Sequence, residues 1–136
     1  MLRQLDDHTL VAGQVTAADL PSLAAQGITT IINNRPDEEE PEQPRGTEIA
    51  AAAEAAGLRY HHIPVAGGFS EHQVADMAEA LSGAEGRTLA FCRSGTRSTF
   101  LWALARKRQG ADGQELITRA AEAGYDLRPI AGHLSD

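Results

Sequence analysis

The 136-residue chain has one cysteine, which excludes an intramolecular disulfide framework, and no Cys/His spacing suits a zinc site. Aromatic residues make up only 4%, so the core must rest on aliphatic side chains and close packing of alanine-rich helices. No apolar run approaches membrane-spanning length, and Met1-Leu-Arg-Gln-Leu-Asp-Asp7 lacks the apolar segment of a secretory signal. Positive charge is scarce too. Twelve Lys and Arg face 19 Asp and Glu, and the net charge of -7 argues against general binding to nucleic acid or anionic membranes. Together these absences predict a cytoplasmic protein whose free thiol stays reduced, with no cofactor and no metal.

What is present is ordinary for a globular protein: 42% hydrophobic and 23% charged residues, enough for one domain over 1–136. His8–Gln14 reads as a first strand. Thr16-Ala-Ala-Asp19 has capping-box spacing ahead of a helix ending at Gly27, and Ile28–Ile32 is a β-branched, buried strand. Asn33–Pro44 is an acidic, proline-punctuated loop in which Glu38, Glu39 and Glu40 are expected to be solvated. A helix over Glu48–Ala56 closes at Gly57, a strand follows over Leu58–Ile63, and Ser70-Glu-His-Gln73 caps a helix to Leu81. His61 and His62, adjacent on a strand, must point to opposite faces, which argues against a joint role. Arg87–Phe91 is the last strand, Ser98–Gln109 and Gln114–Ala123 are helices, and Tyr125 onward is a tail. This alternation predicts an α/β fold, a mainly parallel four-stranded sheet flanked by helices.

The chemistry concentrates at the end of the last strand. Leu89, Ala90 and Phe91 deliver Cys92, and Arg93-Ser-Gly-Thr-Arg97-Ser98 leads into a helix. A strand, a tight loop rich in N–H donors and a helix N-terminus form an anion cradle, with a candidate nucleophile at its base. A lone cysteine at a strand end is usually a small buried hydrophobe, but these neighbours change the odds. Ser94, Gly95 and Thr96 permit a tight turn of converging amides, Arg97 offers a planar fork for an oxyanion, and Ser98 is placed to cap the helix. Ionising an ordinary thiol near pH 6 takes roughly 3.5 kcal/mol of preferential thiolate stabilisation. A helix terminus supplies ~0.3–1 kcal/mol, so amides and Arg97 must supply the rest as a unit. Arg93 adds positive potential at the rim. Arg35, at the end of a neighbouring strand, is placed either to face the pocket or to pair with the acidic loop at the surface.

Cys92-Arg-Ser-Gly-Thr-Arg-Ser98 resembles the active loop of single-domain rhodaneses and the phosphate loop of cysteine-dependent phosphatases. With Gly13-Gln14, Ile31-Ile-Asn-Asn-Arg-Pro-Asp37, Tyr60-His-His-Ile-Pro-Val65 and Ala123-Gly-Tyr-Asp-Leu127, the chain resembles over nearly its full length the phosphatase-like domain of bacterial beta-lactamase-hydrolase-like proteins. The resemblance implies a dual-specificity-phosphatase fold. It also implies a link to sulfide detoxification, because some relatives are fused to a persulfide dioxygenase, which makes such an enzyme an expected partner.

Three departures bear on the chemistry. Four residues separate Cys92 from Arg97, one fewer than in such phosphatases and the number found in rhodaneses. Phe91 stands where those phosphatases carry histidine before the nucleophile. The loop Ala66-Gly67-Gly68-Phe69-Ser70, where the general-acid Asp would be expected, has no carboxylate; Glu71, His72 and Asp37 are the substitutes to consider. General acid catalysis is worth ~10²- to 10⁴-fold for an alkoxide leaving group, whereas sulfite leaves as a stable anion. The sequence therefore places first a cysteine-dependent sulfurtransferase, with Cys92 carrying a persulfide drawn from thiosulfate or another sulfane-sulfur donor. In it Arg97 and the amides bind the oxyanion, and Ser98 is a candidate donor to the thiolate. The alternatives are a phosphatase working through phosphocysteine on a phosphate ester, and a non-catalytic oxyanion-binding or redox-sensing module.

Overall fold

β-Branched and aliphatic runs become strands, and the capped segments between them become helices, in the computed structural model, which describes residues 2–135. Five strands form one sheet: β1 (Arg3–Gln4), β2 (Thr9–Ala12), β3 (Ile28–Asn33), β4 (Arg59–His62) and β5 (Arg87–Phe91). Their order is β1-β2-β5-β3-β4, with β1 antiparallel to β2 and all other pairs parallel. The sheet is thus mainly parallel, as expected, but has five strands rather than four. The extra strand is two polar residues long, too short for any periodicity, and exists because Arg3 and Gln4 pair with Val11 and Leu10.

The helices are α1 (Leu20–Ala25), α2 (Gly46–Ala55), α3 (Glu71–Ser82), α4 (Thr96–Arg108) and α5 (Gly113–Glu122). Both predicted capping boxes form. Asp19 Oδ2 accepts from the Thr16 amide at 2.8 Å, ahead of a short 3-10 turn leading into α1. Ser70 and Gln73 exchange bonds of 2.8 and 3.1 Å at α3. α4 begins two residues earlier than expected. Its N-cap is Gly95, at φ +90°, so Ser98 lies inside the helix rather than capping it. Only glycine takes that left-handed backbone routinely, which is why the chain can turn from β5 into α4 so abruptly.

Alternation along β5 divides the core. Leu89 and Phe91 pack with Leu20, Leu23, Ile31 and Ile49 on the α1/α2 side. Ala90, between Val11 and Ile32, meets Leu101, Trp102 and Met77 on the α3/α4/α5 side. The small Ala90 side chain lets α4 lie close to the sheet beneath the Cys92 loop. The segment after Tyr125 is no tail. It forms a 3-10 helix at Arg128–His133, and Leu127, Ile130 and Leu134 complete the second core layer. Among the described residues no helix is long and apolar enough to cross a membrane.

Candidate active site

The strand order fixes where a site can form. β5 returns to lie between β2 and β3, so the order in which the crossovers add strands reverses beside it, and the carboxyl ends of the parallel strands at such a point are the usual location of ligand crevices. Cys92 is the first residue past β5, 1% exposed, with its amide pointing at the Ala12 carbonyl (3.4 Å). The loop presses on β2's end so closely that a Cβ on Gly13 would stand 2.9 Å from the Arg93 carbonyl oxygen.

Within the loop, the Gly95 amide donates to Cys92 Sγ at 3.1 Å. Ser94 Oγ and Thr96 Oγ1 bond each other at 3.0 Å on the exposed side, and Thr99 Oγ1 ties the Gly95 carbonyl back at 2.8 Å. Arg97, in the first turn of α4, donates from Nη1 to Glu39 Oε2 and to the Val65 carbonyl, both at 2.7 Å, and from Nη2 to Glu39 Oε1 at 2.9 Å. A guanidinium has five N–H donors, of which Glu39 and Val65 take three, and the group also interacts with Cys92. Glu39 first, and the thiolate charge of Cys92 after burial, act on the Arg97 guanidinium; the net effect holds it above its ordinary value.

The acidic loop adds pairing to the expected solvation. Glu38 turns the chain at φ +63°, and Glu38, Glu39 and Glu40 are exposed as expected, but Glu39 and Glu40 also pair with the arginines. Arg35, 3% exposed, donates to Glu39 Oε1 (2.9 Å), Glu40 Oε1 (2.7 Å) and Gln14 Oε1 (3.0 Å). Of its two expected placements the structure shows the acidic-loop pairing, but buried rather than at the surface. Arg93, mostly exposed at the rim, reaches the same Glu40 oxygen at 3.1 Å. The hydrogen bond from Arg97 holds the Glu39 carboxyl far below its ordinary value, at about 2, with Arg35 adding to the effect and burial opposing it. Ser98 is fully buried, and among the described residues its Oγ has no hydrogen-bond partner, Cys92 included.

No carboxylate enters from the 66–70 loop, and the carbonyl of Val65, just before it, accepts from Arg97. The substitutes are occupied elsewhere. Asp37 Oδ1 accepts from the Gly46 amide at the start of α2 (2.7 Å), Glu71 pairs with Arg108, and His72 lies 3.3 Å from Asp76. His62 Nε2 bonds the Arg35 carbonyl at 2.9 Å, beneath the acidic loop.

Two contributors were missed by sequence. Glu39 sits in a run of charges whose composition looks like solvated loop, and nothing local shows its partners 4 and 58 residues away. Tyr125 follows the helix-ending Gly124, and its Oη donates to the Ser94 carbonyl at 3.0 Å. An aromatic held by a helix cap in a chain so poor in aromatics was the available signal.

Comparison with known proteins agrees with this architecture. Residues 1–109 match the family described as beta-lactamase hydrolase-like protein, phosphatase-like domain. The chain belongs to that family. A beta-lactamase hydrolase-like protein of Agrobacterium fabrum is 42% identical over 126 residues, covering 91% of this chain and 29% of that protein. One from Xylella fastidiosa is 34% identical over 90% of the chain, again 29% of the relative. The chain therefore spans less than a third of these curated relatives. A crystal structure from Neisseria meningitidis, titled as that of a candidate phosphatase, is 39% identical with a TM-score of 0.83, covering 97% of this chain and 94% of that one. TpbA of P. aeruginosa, solved with phosphotyrosine, superposes with a TM-score of 0.67 over 96% of this chain and 80% of that one at 18% identity, and so shares the fold. The phosphatase-like domain thus has the fold of cysteine-based protein-tyrosine and dual-specificity phosphatases.

Proposed function

We propose that the domain is a cysteine-dependent phosphatase for esters with good leaving groups. The observation that carries it is the pairing of Gly95 N–H on Cys92 Sγ with an Arg97 whose far edge is fixed by Glu39 and Val65. Sγ attacks phosphorus, the P–O bond breaks, and the leaving oxygen takes the electron pair. Water then displaces sulfur from phosphorus, sheds one proton to solvent and returns the thiolate. Loop amides and Arg97 are aimed where oxyanion charge gathers. Glu39 cannot serve as general acid while it holds Arg97, because its carboxyl is ionised well below neutrality. Aryl phosphates, which need little protonation, are therefore the favoured class. The family's description as phosphatase-like, and the phosphatase assignment of the Neisseria meningitidis structure, move this reading ahead of sulfur transfer.

The missing acid favours sulfur transfer as a second reading. Here Sγ attacks the outer sulfur of thiosulfate, the S–S bond breaks and sulfite leaves with the electron pair. A thiol or cyanide then takes the sulfur. A persulfide dioxygenase as partner belongs to this second reading alone.

The deciding assay uses the purified chain and Cys92→Ser. Release of phosphate from an aryl phosphate, abolished in the variant and ~10²- to 10⁴-fold slower with alkyl phosphates, supports the phosphatase. Sulfur transfer is supported instead by one added sulfur on Cys92 after thiosulfate, seen by intact mass, and by thiocyanate formed from cyanide. Phosphate or sulfate binding with neither reaction leaves only a binding module.

A further inference from the structure

We infer that Tyr125 is a positioning residue for the Cys92 thiolate, acting through the Ser94–Gly95 peptide. This rests on the reading of Cys92 as nucleophile. A trans peptide is planar, with its carbonyl and its N–H directed to opposite sides. In this unit the carbonyl accepts from Tyr125 Oη at 3.0 Å, and the N–H donates to Cys92 Sγ at 3.1 Å. The phenol therefore sets the tilt of the plane that aims an amide at sulfur. It also withdraws electron density through the amide, and serial hydrogen bonds strengthen one another by roughly 10–30%.

The phenol is suited to donate. Burial holds it above its ordinary value, with Cys92 adding to that and Arg3 opposing, so it stays protonated throughout the neutral range. Its place is set by two independent devices. At the end of α5 the Gly124 amide bonds the Ala121 carbonyl (3.0 Å) and the Tyr125 amide bonds the Ala120 carbonyl (2.8 Å), with Gly124 at φ +96°. That is a Schellman cap, and it fixes the direction in which Tyr125 leaves the helix. From β1, Arg3 Nη1 donates to the Ala123 carbonyl at 3.2 Å and packs on Gly124. The two-residue strand invisible in sequence thus braces the residue that braces the loop. Gly95 fits the same contact: a Cβ there would overlap Tyr125 Oη. The charged groups facing this unit are Arg97 from α4 and Arg3 from β1.

The test is alkylation of Cys92 by iodoacetamide across pH 5–10 in the full chain and in Tyr125→Phe, which keeps the ring and its packing. The expected result is an alkylation midpoint moved upward by roughly half a unit in the variant, in keeping with one lost hydrogen bond in a relay. The plateau rate at high pH should be unchanged. A merely structural role would lower the plateau or the melting temperature and leave the midpoint in place, and that result overturns the inference. So do superimposable profiles for the two proteins. If Cys92 of the unaltered chain resists alkylation at every pH, the nucleophile reading itself falls, and the role of Tyr125 with it. As a second variant, Tyr125→Leu should give the same midpoint as Tyr125→Phe despite a lower melting temperature.

Discussion

Glu39 and Arg97, 58 residues apart in sequence, meet through two hydrogen bonds of 2.7 and 2.9 Å that engage both carboxylate oxygens. The contact occupies the Nη1–Nη2 edge of the guanidinium, so the carboxylate holds the arginine rather than competing for its anion face. Removing it should loosen Arg97 by rotamer freedom. Glu39→Ala is expected to lower kcat/KM for an aryl phosphate about 10-fold, or ~1.4 kcal/mol of transition-state stabilisation. Steady-state kinetics check this, and faster turnover would mean that Glu39 acts as a competing anion instead.

The same pair makes stability depend on pH. The Glu39 carboxyl falls from its ordinary 4.5 to about 2 on folding, chiefly because Arg97 bonds its charged form. A depressed carboxyl binds its proton more readily when unfolded, so its contribution is fully present above pH 4.5 and is lost as pH falls toward 2. Thermal melts of the native chain and Glu39→Gln should therefore differ most near neutrality and converge in acid. A gap that stays constant down to pH 2.5 would assign the effect to packing rather than charge.

The framework was legible because it is written locally. The β-branched Ile28–Ile32 run, the Thr16/Asp19 and Ser70/Gln73 boxes, and the Cys92–Arg97 spacing each declare themselves within a few residues. Glu39, Arg35 and Tyr125 do not, because their meaning lies in partners supplied by other segments. Composition suggested solvated acids between prolines, and they are exposed, but composition could not show that Glu39 and Glu40 also pair with Arg35, whose buried guanidinium needs acceptors. β1 escaped notice for a related reason: two residues carry no period.

Gly95 carries two constraints at once. Its φ of +90° is a backbone state costly to L-residues, by roughly 1–2 kcal/mol, and its missing Cβ makes room for Tyr125 Oη. Gly95→Ala is expected to lower the melting temperature and to slow Cys92 alkylation by displacing the amide bonded to Sγ. Pairing it with Tyr125→Ala relieves the overlap but not the backbone strain, so the double variant should recover only part of the stability. Full recovery in differential scanning calorimetry would show that the overlap alone sets the requirement for glycine.

Ser98 gives a prediction of opposite sign. Its hydroxyl is fully buried in the first turns of α4, and among the described residues nothing accepts from it or donates to it. A buried hydroxyl without a partner costs about 1–3 kcal/mol of desolvation, and alanine removes that cost while improving helix propensity. Ser98→Ala should therefore be stabilised by roughly 1 kcal/mol in urea unfolding, with Cys92 alkylation unchanged at fixed pH. The bond from Ser98 to the thiolate proposed from sequence demands the reverse: no gain in stability and slower alkylation, because a donor to the charged sulfur has gone. The two measurements on one variant decide whether this hydroxyl serves the nucleophile or is a polar group the loop could do without.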